Sequence, residues 1–138
     1  MVSQTQSRST GKNQLVYVYT AYYRKTSMGG RDETWVFKVE NNELVRIQPI
    51  LSERSRSGNH GWDTWYLEPG MYIVIEISRP NNKMKPYTVV VQELYVSANP
   101  QAVNRAVWRG LFVEEIMSLD EIDYLIEKAK EVVVNELT

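Results

Sequence analysis

The chain has 138 residues, of which 43% are hydrophobic and 24% charged, with a net charge of −1 and no cysteine. That length suits one domain with its own core, and the missing cysteine excludes disulfides, thiolate metal sites and thiol nucleophiles. No apolar run approaches the roughly 20 residues of a membrane-spanning helix, and the polar start lacks the apolar core of a secretory signal, so the expectation is a cytoplasmic protein with no membrane partner.

The near-neutral average hides a gradient. Residues 1–60 carry nine Lys/Arg against five Asp/Glu, a balance of +4. Residues 61–110 carry five against four, and residues 111–138 carry two against eight, a balance of −6. A basic front and an acidic end bear on partners rather than on fold.

Residues 1–13 are almost without apolar side chains and are expected to form a disordered polar tail. From Gln14 the hydrophobic period becomes two, with β-branched and aromatic residues dominant, so strands are predicted near 14–26, 33–40, 43–50, 71–79 and 86–96, with a short one near 63–67. Glycine, asparagine and proline mark "SMGGRD" and "PNNKMKP" as turns, and the polar "SERSRSGNHG" (52–61) reads as a mobile loop. A helical period follows Val96. Asn99 and Pro100 suit the start of a helix running to about Met117, and the capping box Ser118–Glu121 opens a second to about Leu137.

This order predicts one α+β domain over 14–138, mainly β to residue 97 and mainly α beyond. Its architecture is a twisted antiparallel sheet of about five strands, with two C-terminal helices packed on one face. One-face burial would set the register of the second hairpin: a three-residue loop at Glu40–Asn42 pairs Phe37 with Val45 and Trp35 with Ile47. Ile73, Ile75 and Ile77 would meet the helices. In "LVYVYTAYYRK" (15–25) the set Val16, Val18, Thr20 and Tyr22 would also face them, leaving Tyr17, Tyr19, Tyr23 and Lys25 on an open face.

An open row of tyrosines beside cations can stack bases and attract phosphates, so the first functional expectation is single-stranded nucleic-acid binding. Its residues would be Tyr17, Tyr19, Tyr23, Lys25, Lys38 and Arg46, with Arg54, Arg56, Trp62 and Trp65 closing over the strand. The competing expectation is a protein-interaction or assembly module. In the last helix Ile122, Ile126, Ala129 and Val133 could meet a second copy and make a homodimer. Catalysis has little to work with. The lone histidine, His60, with Asp63 three residues on, could form a general base, but no nucleophile elbow or phosphate loop accompanies it. The acids Glu114, Glu115, Asp120, Glu121 and Asp123 lack the glycine-bent loop of a calcium site, and neither a metal nor another cofactor is expected.

Overall fold

Among the described residues there are nine strands, most of them built from alternating β-branched and aromatic side chains, followed by one helix. The computed structural model describes residues 3–10, 14–98 and 105–137. The strands are β1 (Ser3–Thr10), β2 (Gln14–Arg24), β3 (Glu33–Glu40), β4 (Glu43–Ile47), β5 (Leu51–Arg54), β6 (His60–Leu67), β7 (Gly70–Ser78), β8 (Tyr87–Val96) and β9 (Ala106–Ile116). A 3₁₀ turn, Leu119–Glu121, leads into α1 (Ile122–Leu137). All pairings between strands are antiparallel, in a small sheet ordered β1-β2-β6-β5 and a large one ordered β4-β3-β7-β8-β9.

The expected antiparallel sheet with helical cover on one face is present, but the chain is a three-layer sandwich. On one side of the large sheet, Phe37, Ile73, Ile75, Ile77, Val89 and Val91 meet Ile122, Leu125, Ala129 and Val133 of α1. The alternation in β7 had assigned its isoleucines to this face correctly. On the other side, Val36, Tyr72, Val74, Leu94 and Val96 meet Tyr17, Tyr19, Ala21, Trp65 and Leu67 of the small sheet. The large sheet is thus buried on both faces.

This second core overturns the expected open face. Tyr17, Tyr19 and Tyr23 are only 5%, 0% and 6% exposed, because they point between the sheets. Val16, Val18, Thr20 and Tyr22 take the outer face instead, where the hydroxyls of Thr20 and Thr64 lie 3.0 Å apart across β2 and β6. The inversion follows from β6. Expected as a short strand at 63–67, it spans eight residues and brings Trp65 opposite Tyr19 and Leu67 opposite Tyr17.

Four further expectations change for physical reasons. Ser3–Thr10, read as a disordered tail, pairs along β2 from Ser3↔Ala21 to Thr10↔Gln14. The 52–61 loop shrinks to a turn at 55–59, because β5 and β6 take its two ends. The β3–β4 connection is a two-residue turn in which Asn41 and Asn42 both adopt positive φ (51° and 62°), pairing Phe37 with Arg46 and Val36 with Ile47. Both faces of β3 are buried, so one-face burial could not select the register, and the left-handed tolerance of asparagine did. Finally, the segment read as the first helix contains β9, whose aromatic and β-branched side chains pair along β8 with a bulge opposite Val91/Gln92. The proposed start of that helix, Asn99 and Pro100, lies outside the described residues.

The capping box forms as expected. Ser118 Oγ accepts from the Asp120 amide at 3.2 Å, and Glu121 Oε2 accepts from the Ser118 amide at 3.3 Å. Satisfying these amides fixes where α1 starts and sets its apolar stripe over β7 and β8.

Candidate functional site

The ends of β2, β5 and β6 carry the most distinctive surface of the molecule. On the outer face of the small sheet, Tyr22 of β2 lies directly opposite Trp62 of β6, with His60 next along that strand face. The Tyr22 and Trp62 ring centroids are 5.9 Å apart at 63°, those of His60 and Trp62 5.3 Å apart at 81°, and those of Tyr22 and His60 5.6 Å apart at 40°. The two edge-to-face contacts of Trp62 are attractive between ring quadrupoles, and with the tilted Tyr22–His60 pair they give the three side chains one joint, partly exposed surface. Arg24 pairs opposite His60 in the same register, and Tyr66 extends the face at 38% exposure.

The β5–β6 turn holds this platform in place. Gly58 closes it with φ +76° and donates to the Ser55 carbonyl at 3.0 Å, while the Ser55 amide donates to the His60 carbonyl at 2.9 Å. Gly61 has no side chain because the Tyr23 ring occupies that space: a Cβ there would stand 2.6 Å from Tyr23 Cζ and collide with the Glu53 carbonyl.

Behind the platform, on the inward side of the same strand ends, Tyr23, Lys25, Arg31, Ser52, Arg54 and Asp63 line a cleft of about 420 Å³. Asp63 is buried and accepts from Ser52 Oγ at 2.8 Å, and its other oxygen pairs with Arg31 at 3.2 Å. The Arg31 guanidinium stacks 3.9 Å above the Tyr23 ring centroid, an arrangement that fixes its plane.

Three loops converge at this end. The Lys25 amide donates to the Asn59 carbonyl at 2.8 Å, and the Arg79 amide donates to the buried Asp32 carboxylate at 2.9 Å. Asp32 also pairs with Arg24 at 3.4 Å, and Glu33 with Arg79 at 3.9 Å. Among the described residues Lys25, Arg54, Arg56, Lys83 and Lys85 have no acidic partner within salt-bridge distance. Lys83 and Lys85 sit with Met28, Met117 and Tyr87 along a separate groove of about 260 Å³.

The residues expected to bind nucleic acid scatter. Lys25, Arg54, Arg56 and Trp62 gather at this end. Tyr17, Tyr19, Tyr23 and Trp65 are core residues, and Trp65 Nε1 donates to the Ile47 carbonyl at 2.9 Å. Lys38 pairs with Glu40 at 3.4 Å, and Arg46 lies 4.3 Å from the Trp35 ring centroid on the helix side of β4, away from the platform. Of the stripe expected to meet a second copy, Ile122, Ala129 and Val133 are buried against the sheet and Ile126 packs partly buried beside them. His60 and Asp63, weighed as a general-base pair, are three apart in one strand and therefore project from opposite faces. His60 joins the ring cluster while Asp63 lines the cleft.

Sequence reasoning missed Tyr22, Arg24 and Arg31. The alternation "HGWDTWYL" in β6 held the available signal, since it places His60, Trp62, Thr64 and Tyr66 on one face. Among the described residues no group of three or more His, Asp or Glu gathers as a metal centre, and no helix is long and apolar enough to cross a membrane.

Comparison with protein-family models, with curated proteins and with solved structures gave no match for this chain.

Proposed function

We propose that this is a non-enzymatic binding protein that takes single-stranded nucleic acid on the outer face of the small sheet. The observation that supports the reading is the partly exposed Tyr22–His60–Trp62 surface, flanked by Arg24 and adjoining Lys25, Arg54 and Arg56, which have no ion pair among the described residues. A base stacks on any flat ring, contributing about 1–3 kcal/mol by alanine substitution, and neighbouring cations answer the phosphates. A net charge of −1 does not oppose this, because the acids of 111–138 lie on β9, the 3₁₀ turn and α1 rather than on the small sheet.

The test is Trp62→Ala. Its ring is partly exposed, so the variant should melt within a few degrees of the parent while its affinity for an unstructured oligonucleotide falls about tenfold. Unchanged affinity in a folded variant would remove the platform from the reading.

A protein-interaction module is the second reading, and β9 favours it. It is an eleven-residue edge strand whose Val107 and Val113 are 64% and 63% exposed. An uncovered edge can accept a strand from another chain, although the bulge near its middle limits the length of any such pairing. Light scattering would report a dimer formed through this edge, and Val107→Lys should return it to the monomer.

A further inference from the structure

We propose that the cleft behind the platform binds the terminal phosphate of the bound strand. The inference rests on the strand reading above and adds a specificity to it. Within the cleft, the acid and one cation cancel: Asp63 is held by Arg31 at 3.2 Å and by Ser52 at 2.8 Å. What is left is Lys25 and Arg54, two cations that line the cavity and have no ion pair among the described residues. Two unpaired cations match a dianionic phosphomonoester better than an internal phosphodiester, which carries one charge.

The shape gives the same answer. Tyr23 and Asp63 are buried and form the floor, and the exposed Lys25 and Arg54 stand at its open side. Its volume of about 420 Å³ admits a phosphate with its sugar. One face of Tyr23 is already covered by Arg31 and the ring presses against Gly61, so no base can stack inside. The cleft and the platform also alternate along the same strands: Tyr22 and Arg24 face out where Tyr23 and Lys25 face in, and Trp62 faces out where Asp63 faces in. A strand lying over Trp62 therefore needs to pass only the end of the small sheet, at Arg56, for its last phosphate to enter.

The experiment compares three oligonucleotides of one sequence, bearing a 5′-phosphate, a 3′-phosphate or only hydroxyl ends, by fluorescence anisotropy at fixed salt. The wild-type protein should bind one of the phosphorylated strands about tenfold more tightly than the hydroxyl strand. Inorganic phosphate, matched for ionic strength with chloride, should erase that preference by filling the same cleft. In Lys25→Ala/Arg54→Ala the preference should vanish, with folding checked by circular dichroism because both side chains are exposed. Equal affinity for all three strands would overturn the terminal-phosphate site while leaving the strand reading intact. A preference that survives in the double variant would place the phosphate elsewhere and overturn it too. Failure of every strand to bind would overturn the strand reading, and this inference with it.

Discussion

Tyr19 is surrounded by protein. Its ring stacks on Trp65 at 5.6 Å and tilts against Trp108 at 5.2 Å, and its hydroxyl donates to Glu76 at 3.3 Å. Tyr19→Ala should therefore destabilise the fold by about 3–5 kcal/mol, read from urea unfolding, since it empties a large buried site. A variant that keeps its stability and loses only binding would show the ring to be at the surface. Glu76 is the other informative residue between the sheets. Burial pushes its carboxyl above the ordinary glutamate range, opposed by the Tyr19 hydrogen bond. A raised value means that the folded chain holds the proton more tightly than the unfolded chain does. The associated stability is present at low pH and is lost as the pH rises through that raised value. Glu76→Gln keeps an acceptor for Tyr19 without the charge, so its melting temperature should exceed that of the parent at neutral pH. The gain should shrink as the pH falls toward the usual glutamate value of about 4.3. Identical melting curves at neutral pH would contradict the assignment.

At the scale of elements, strong alternation made β3, β7 and β8 legible, and the Ser118–Glu121 capping box made the start of the last helix legible. What alternation could not supply was the number of layers. A period of two separates two faces of a strand without saying which is covered. Tyrosine suits either, so the row in β2 was assigned to solvent when a second sheet in fact covers it. β9 failed differently. Its apolar residues Val107 and Leu111 are four apart, which fits a helix as well as a strand, and the bulge midway interrupts the alternation that would have distinguished the two. The helix that does form is held by burial. Leu125 is 2% exposed in the core, and Leu125→Ala should cost about 2–5 kcal/mol. The surface pairs Lys128–Glu114 at 2.8 Å and Lys130–Glu43 at 2.7 Å should matter little, because exposed ion pairs gain little over hydration. Replacing both lysines with glutamine should leave the melting temperature almost unchanged, whereas a fall as large as that of Leu125→Ala would mean that charge, not the apolar stripe, holds α1 down.

For the whole molecule, the fold gathers part of the basic front beside the platform and keeps the acidic final segment off the small sheet, while Lys38 and Arg46 share the large sheet with β9. The acidic final segment supplies β9, the 3₁₀ turn and α1, and the basic front supplies the strand ends and turns beside the aromatic platform. The charge balance of 1–60 pointed to Lys25, Arg54 and Arg56, the neighbouring aromatic pattern pointed to Trp62, and the fold brings these four to one end of the small sheet. Their aromatic companions were not legible, because they lie on the face that had been given to the core. The most direct measurement of the central claim is a titration of the wild-type protein with an unstructured oligonucleotide, followed by tryptophan emission across a salt series. Strand binding at this basic end predicts quenching at ~50 mM salt, with log affinity falling linearly in log salt by about 0.7 for each phosphate neutralised. No binding at that salt, or an affinity indifferent to it, would contradict the claim.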